Sequence, residues 1–230
     1  MNSADSNTAD AALECVELQT CDRPDASIIW LHGLGADGYD FVPVVKELQA
    51  LGAPPARYVF PHAPMRPVTI NGGYVMRAWY DILGAQIDRQ EDRHGIEASQ
   101  RQVLALIERE KSRGTPGQRI VLAGFSQGGA ITLQTGLRLD EPLAGLVVLS
   151  SYLPLAASAP AQITAGARRM PVFMAHGRQD QVIALARAEA SRDALLRLDV
   201  RVQWHEYAMA HSVCAEELGH LAAFLSEAFK

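Results

Sequence analysis

Cysteine is scarce in this chain: Cys15, Cys21 and Cys214 are an odd, scattered three in 230 residues. That excludes a disulfide framework. Cys15 and Cys21 are expected on one strand, which at ~3.3 Å per residue sets them roughly 20 Å apart, too far to bond. All three read as buried or idle thiols of a reducing compartment. Long apolar runs are also missing. Nothing approaches the ~20 residues that a membrane span needs. The first eleven residues are polar and acidic, with neither the basic nor the apolar region of a signal peptide; they read as a flexible leader, and a cytoplasmic location is expected. Basic stripes are absent too. With 21 Lys and Arg against 26 Asp and Glu, net charge -5, the chain has little with which to neutralise phosphates, and no nucleic-acid partner is expected. Nor do histidines pair with a carboxylate at metal-binding helical spacing, so no metal or other cofactor is expected.

What is present is apolar residue in quantity, 48% of the chain, enough for a large core. It falls in alternating rhythms. Leu13 to Leu18 alternates apolar and polar as an edge strand does, and Ser27 to Leu31 is a continuous apolar run, as in a strand covered on both faces. Helical spacing follows at Phe41 to Leu51, ending at Gly52. Arg57 to Phe60 is a strand, and residues 61–92, rich in proline and glycine, are expected to form a long binding loop. Beyond it, helices are expected over 95–113, 130–139, 182–198 and 213–229, with strands at 119–123, 143–149, 171–175 and 200–207. Strands and helices in alternation imply an α/β fold: a mostly parallel sheet with helices on both faces, in one domain spanning 12–230. In such sheets the site lies beyond the C-terminal strand ends.

Chemistry gathers at those ends. Gly124-Phe125-Ser126-Gln127-Gly128 places a serine in a tight strand-to-helix turn, where glycine lets neighbouring backbone come close. A serine hydroxyl needs a base to become a nucleophile. Asp180 follows the strand ending at Ala175, and His211 follows the strand ending at Tyr207, in the chain order Ser, Asp, His. His211 is the candidate base and then acid, and Asp180 its orienting carboxylate. Other histidines fit less well: His205 is inside a strand, His220 inside the last helix, His94 in a polar segment, and His176 suits shaping the Asp180 loop. The candidate oxyanion donors are the backbone N–H groups of Gln127, after the nucleophile, and Leu34, in the loop after an early strand. That loop, Gly33-Leu34-Gly35-Ala36-Asp37-Gly38, also matches a dinucleotide fingerprint, but no acidic residue ends the next strand to bind a ribose.

Together with Pro61-His62-Ala63-Pro64, Trp79-Tyr80-Asp81, His176-Gly177 before Asp180, and Tyr207 and Met209 before His211, these segments resemble one family over nearly the whole chain. It is the carboxylesterase/phospholipase family of α/β-hydrolases, related to acyl-protein thioesterases. The resemblance implies the α/β-hydrolase fold, Ser126, Asp180 and His211 as catalytic triad, Leu34 and Gln127 as oxyanion donors, no metal, and in some members a homodimer. The chain departs at Ser151, near which eukaryotic-looking members tend to carry glycine. The leading expectation is a carboxylesterase for small to medium esters, with thioesterase or lysophospholipase activity as the alternative and a silent binding protein on the same fold as a third. Met65, Trp79, Leu83 and Tyr152 are the candidate substrate contacts. Activity is expected to fall in acid as the base takes up a proton.

Overall fold

The computed structural model describes residues 12–84 and 91–230; the expected leader therefore lies outside the described residues. Nine strands and seven α-helices follow in order among them. They are β1 (Cys15–Gln19), β2 (Ser27–Leu31), α1 (Val42–Ala50), β3 (Arg57–Pro61), β4 (Met65–Val68), β5 (Tyr74–Arg77), α2 (Arg93–Ser112), β6 (Ile120–Phe125), α3 (Gln127–Gly136), β7 (Gly145–Leu149), α4 (Ala159–Gln162), α5 (Ala165–Arg169), β8 (Pro171–Gly177), α6 (Leu185–Arg197), β9 (Arg201–Tyr207) and α7 (Ala215–Ala228).

Seven strands make one sheet in the order β1-β3-β2-β6-β7-β8-β9. Within that sheet, among the described residues, only the β1–β3 pair is antiparallel. Strand β2 is buried at every position, and its residues divide by parity between two cores. Ile28 and Trp30 join Val45, Leu48, Leu221 and Phe224 on the α1/α7 face. Ile29 and Leu31 join Ile96, Val103, Ile107 and Ile131 on the face covered by α2, α3 and α6. Each such side chain, fully buried, contributes roughly 1.5–3 kcal/mol.

The topology locates the site. From β2 the chain moves outward to β3, then returns across β2 to place β6 on its other side. The loops leaving β2 and β6 therefore diverge, which opens a crevice at their C-terminal ends. Register sharpens this: Leu31 pairs with Gly124, so His32-Gly33 and Phe125-Ser126 leave the sheet side by side.

Two expectations are corrected. Residues 61–92 are not a loop throughout, because β4 and β5 form an antiparallel hairpin in which Val68 pairs with Tyr74. Pro67 within β4 and the left-handed Gly72 and Gly73 at its turn had masked the alternation. Cys21 lies beyond the end of β1 rather than on it; all three cysteines are free and part-buried.

Candidate active site

Ser126 sits between β6 and α3 with φ 53° and ψ -119°, a conformation an L-residue adopts only when its surroundings impose it. Backbone crowding explains the flanking glycines. A Cβ on Gly124 would lie 2.4 Å from the Gly128 carbonyl carbon, and one on Gly128 would lie 2.3 Å from the Leu31 carbonyl oxygen. The turn is held from below: the Ser126 N–H donates to the Leu149 carbonyl at 2.9 Å, and the Ser151 hydroxyl donates to the Ser126 carbonyl at 2.6 Å. The Ser151 hydroxyl thus supports the serine turn.

The structure brings Ser126, His211 and Asp180 into one line of hydrogen bonds. Asp180 Oδ2 accepts from His211 Nδ1 at 2.7 Å, which leaves Nε2 free to accept from the Ser126 hydroxyl at 2.9 Å. The other Asp180 oxygen, Oδ1, accepts from the N–H groups of Val182 and Ile183 at 2.8 and 2.9 Å. That carboxylate is buried and fixed in place. His176 stands behind it, with its ring Nε2 2.8 Å from the Ile183 carbonyl and 3.4 Å from Asp180 Oδ2; burial holds its pKa below the ordinary imidazole value. Phe125 packs on the His211 ring at 4.8 Å between centroids. Such a line of groups can move a proton from a serine hydroxyl to an imidazole and later return it to a leaving group.

The loop after β2 faces this line. A Cβ on Gly33 would lie 3.3 Å from Phe125 Cδ1 and 3.4 Å from the Ser126 Cβ, which sets this loop against the serine turn. Gln127 opens α3, and its N–H has no acceptor within the helix. Its side chain does a different job: Oε1 accepts from the Trp79 N–H at 2.7 Å, and Nε2 donates to the Tyr80 carbonyl at 2.7 Å.

The four candidate substrate contacts divide. Met65 and Leu83 are exposed, and Met65 lines a cleft of about 550 Å³ between the β4–β5 hairpin, the segment just before β1 and α2, in which none of Ser126, Asp180 and His211 takes part. Trp79 and Tyr152 are buried. The Trp79 indole donates to the His32 carbonyl at 2.9 Å, and the Tyr152 hydroxyl pairs with that of Tyr80 at 2.7 Å. Both are packed supports behind the crevice in this conformation, not open walls. Among the described residues no cluster of His, Cys, Asp or Glu is disposed to hold a metal, and no helix is long and apolar enough to cross a membrane.

A parallel sheet of this order, with a serine turn after its central strand and the His–Asp pair beyond the ends of later strands, is the α/β-hydrolase fold. Residues 14–229 match the model of the Phospholipase/Carboxylesterase family. An acyl-protein thioesterase 1 of Neurospora crassa is 38% identical over 216 residues, covering 89% of this chain and 87% of the relative. Among solved structures, Arabidopsis thaliana SOBER1 is 30% identical with a TM-score of 0.83, covering 89% of this chain and 99% of that one. Zea mays acyl-protein thioesterase 2 is 26% identical with a TM-score of 0.82, covering 94% and 99%. The chain belongs to the phospholipase/carboxylesterase family and is a hydrolase of that family.

Proposed function

We propose that this protein is a serine hydrolase that cleaves acyl thioesters and carboxylic esters through an acyl-enzyme on Ser126, with thioesters as the preferred class. The observation that carries the proposal is the unbroken Ser126–His211–Asp180 line, at 2.9 and 2.7 Å. In this mechanism Ser126 Oγ attacks the acyl carbonyl carbon as its proton passes to His211 Nε2. The carbonyl electrons move onto oxygen, and the N–H groups of Leu34 and Gln127 hold that charge. Collapse expels the thiolate or alkoxide, which takes the proton from His211. A water molecule, deprotonated by the same nitrogen, then releases the acid and restores Ser126. Asp180 keeps the Nδ1 proton in place and stabilises the imidazolium.

The thioesterase preference, an alternative to plain carboxylesterase from the sequence, gains support from the acyl-protein thioesterase relatives. Thiols are also the easier leaving group, since a thiol pKa of about 8.5 lies far below that of an alcohol. The test is a panel of p-nitrophenyl esters, alkyl esters, lysolipids and acyl thioesters matched in acyl chain. The expected outcome is kcat/KM for thioesters at or above that of matched alkyl esters. Turnover of esters with thioesters untouched would return the protein to simple carboxylesterase.

A further inference from the structure

His32 is the first residue after β2 and is buried at 2% exposure. Its ring Nε2 accepts from the Ala63 N–H at 3.0 Å. A backbone N–H can only donate, so Nε2 carries no proton and the ring proton sits on Nδ1. Nδ1 in turn donates to the Gly33 carbonyl at 2.7 Å. Burial pushes the ring's pKa down to about 4, which keeps this pairing of one donor and one acceptor intact at neutral pH.

The Gly33 carbonyl and the Leu34 N–H belong to one planar trans peptide group and point in opposite directions. To pin the carbonyl is to aim the N–H. Neighbouring groups of the loop are already engaged: the Gly35 N–H donates to the Arg77 carbonyl at 2.9 Å, and the Ala36 N–H to the Gly33 carbonyl at 3.3 Å. The Leu34 N–H has no acceptor among the described residues. The imidazole itself is seated by Trp79, whose ring packs at 5.4 Å and whose indole N–H holds the His32 carbonyl.

We propose that His32 is a positioning residue: its Nδ1–H fixes the peptide between Gly33 and Leu34 so that the Leu34 N–H faces the oxyanion formed at Ser126. The proposal rests on the acyl-enzyme reading above, and it makes the tautomer of a buried histidine part of the oxyanion hole. His32 touches no reacting atom; it acts through the peptide it holds.

The test separates the two ring bonds. His32→Asn and His32→Leu both remove the acceptor for Ala63, but only asparagine keeps a donor at the Nδ1 position. Wild type is first assayed on p-nitrophenyl butyrate and labelled with a fluorophosphonate; failure there refutes the acyl-enzyme reading, not this one. With wild type active, His32→Asn should keep kcat within about fivefold, while His32→Leu should lose on the order of 10²-fold in kcat with KM little changed. A trifluoromethyl ketone, which forms an anionic hemiketal with the serine, should lose affinity for His32→Leu by about the same factor. If His32→Leu does not fold, His32→Gln replaces it: it reaches toward Ala63 but lacks a donor at Nδ1, and the same loss in kcat is expected. Equal loss in the asparagine and leucine (or glutamine) variants, undiminished kcat in the latter, or a loss confined to KM would overturn the proposal.

Discussion

At the scale of single residues, the site is a set of groups each held by more than one bond. Ser126 pays for its position in backbone strain, φ 53° and ψ -119°, of order 1–3 kcal/mol. Replacing the hydroxyl should therefore separate chemistry from stability. Ser126→Ala should lose on the order of 10⁴-fold or more in kcat while its urea-unfolding midpoint stays close to wild type. Ser126→Gly, equally inactive, should be more stable than Ser126→Ala by about 1 kcal/mol, because glycine adopts that φ without steric cost. Equal midpoints for the two variants would mean the turn stores no strain. By contrast Gly128→Ala should fail to fold or lose most of its activity, since its Cβ would meet the Leu31 carbonyl oxygen at 2.3 Å; wild-type solubility and turnover would contradict that. Ser126, Asp180 and His211 were legible as candidates in the sequence because each follows a strand. His32 was not: a histidine that opens a glycine-rich loop looks the same whether it faces solvent or holds a peptide, and only the Ala63 and Gly33 distances tell the two apart.

At the scale of elements, local chemistry explains both what the sequence foretold and what it hid. Helix α2 displays Ile96, Val103, Leu106 and Ile107 on its buried side, a spacing visible without coordinates. The β4–β5 hairpin was hidden because its apolar Met65, Tyr74 and Val75 are exposed, so apolarity did not track burial. Helix α7 holds another feature no pattern reveals. Glu217, in its first turn, is fully buried, and burial pushes its pKa up to about 8. Between about 4.5 and about 8 the folded chain keeps a proton that the unfolded chain has released. Unfolding is therefore favoured as the pH rises through that window, and the protonated form's stability is fully present only below it. Glu217→Gln keeps the shape and the acceptor for the Cys214 N–H without the titration. Its stability relative to wild type should rise from near zero at pH about 5 to on the order of a few kcal/mol at pH about 8, read by urea unfolding across that range. A constant difference would show that Glu217 is ionised in the folded protein.

At the scale of the whole molecule, function follows from strand order. The alternation of strands and helices was enough to anticipate a mostly parallel sheet, and the β1-β3-β2-β6-β7-β8-β9 order places the diverging loops of β2 and β6 side by side. Sequence spacing cannot supply that adjacency: Gly33 and Ser126 are neighbours because Leu31 pairs with Gly124, and Asp180 and His211 arrive because β8 and β9 extend the sheet in parallel. The family resemblance anticipated this assembly, and the match over residues 14–229 bears the resemblance out. Substrate preference was the least legible part, since Trp79 and Tyr152, both expected to touch substrate, are buried supports.

The central claim is that this assembly makes Ser126 a nucleophile, and covalent labelling tests it most directly. Wild-type protein treated with a fluorophosphonate should gain the mass of one phosphonyl group, mapped by peptide mass spectrometry to Ser126 alone, with His211→Ala labelling slowed on the order of 10³-fold or more. An unlabelled wild type, or an adduct on any other residue, would contradict it.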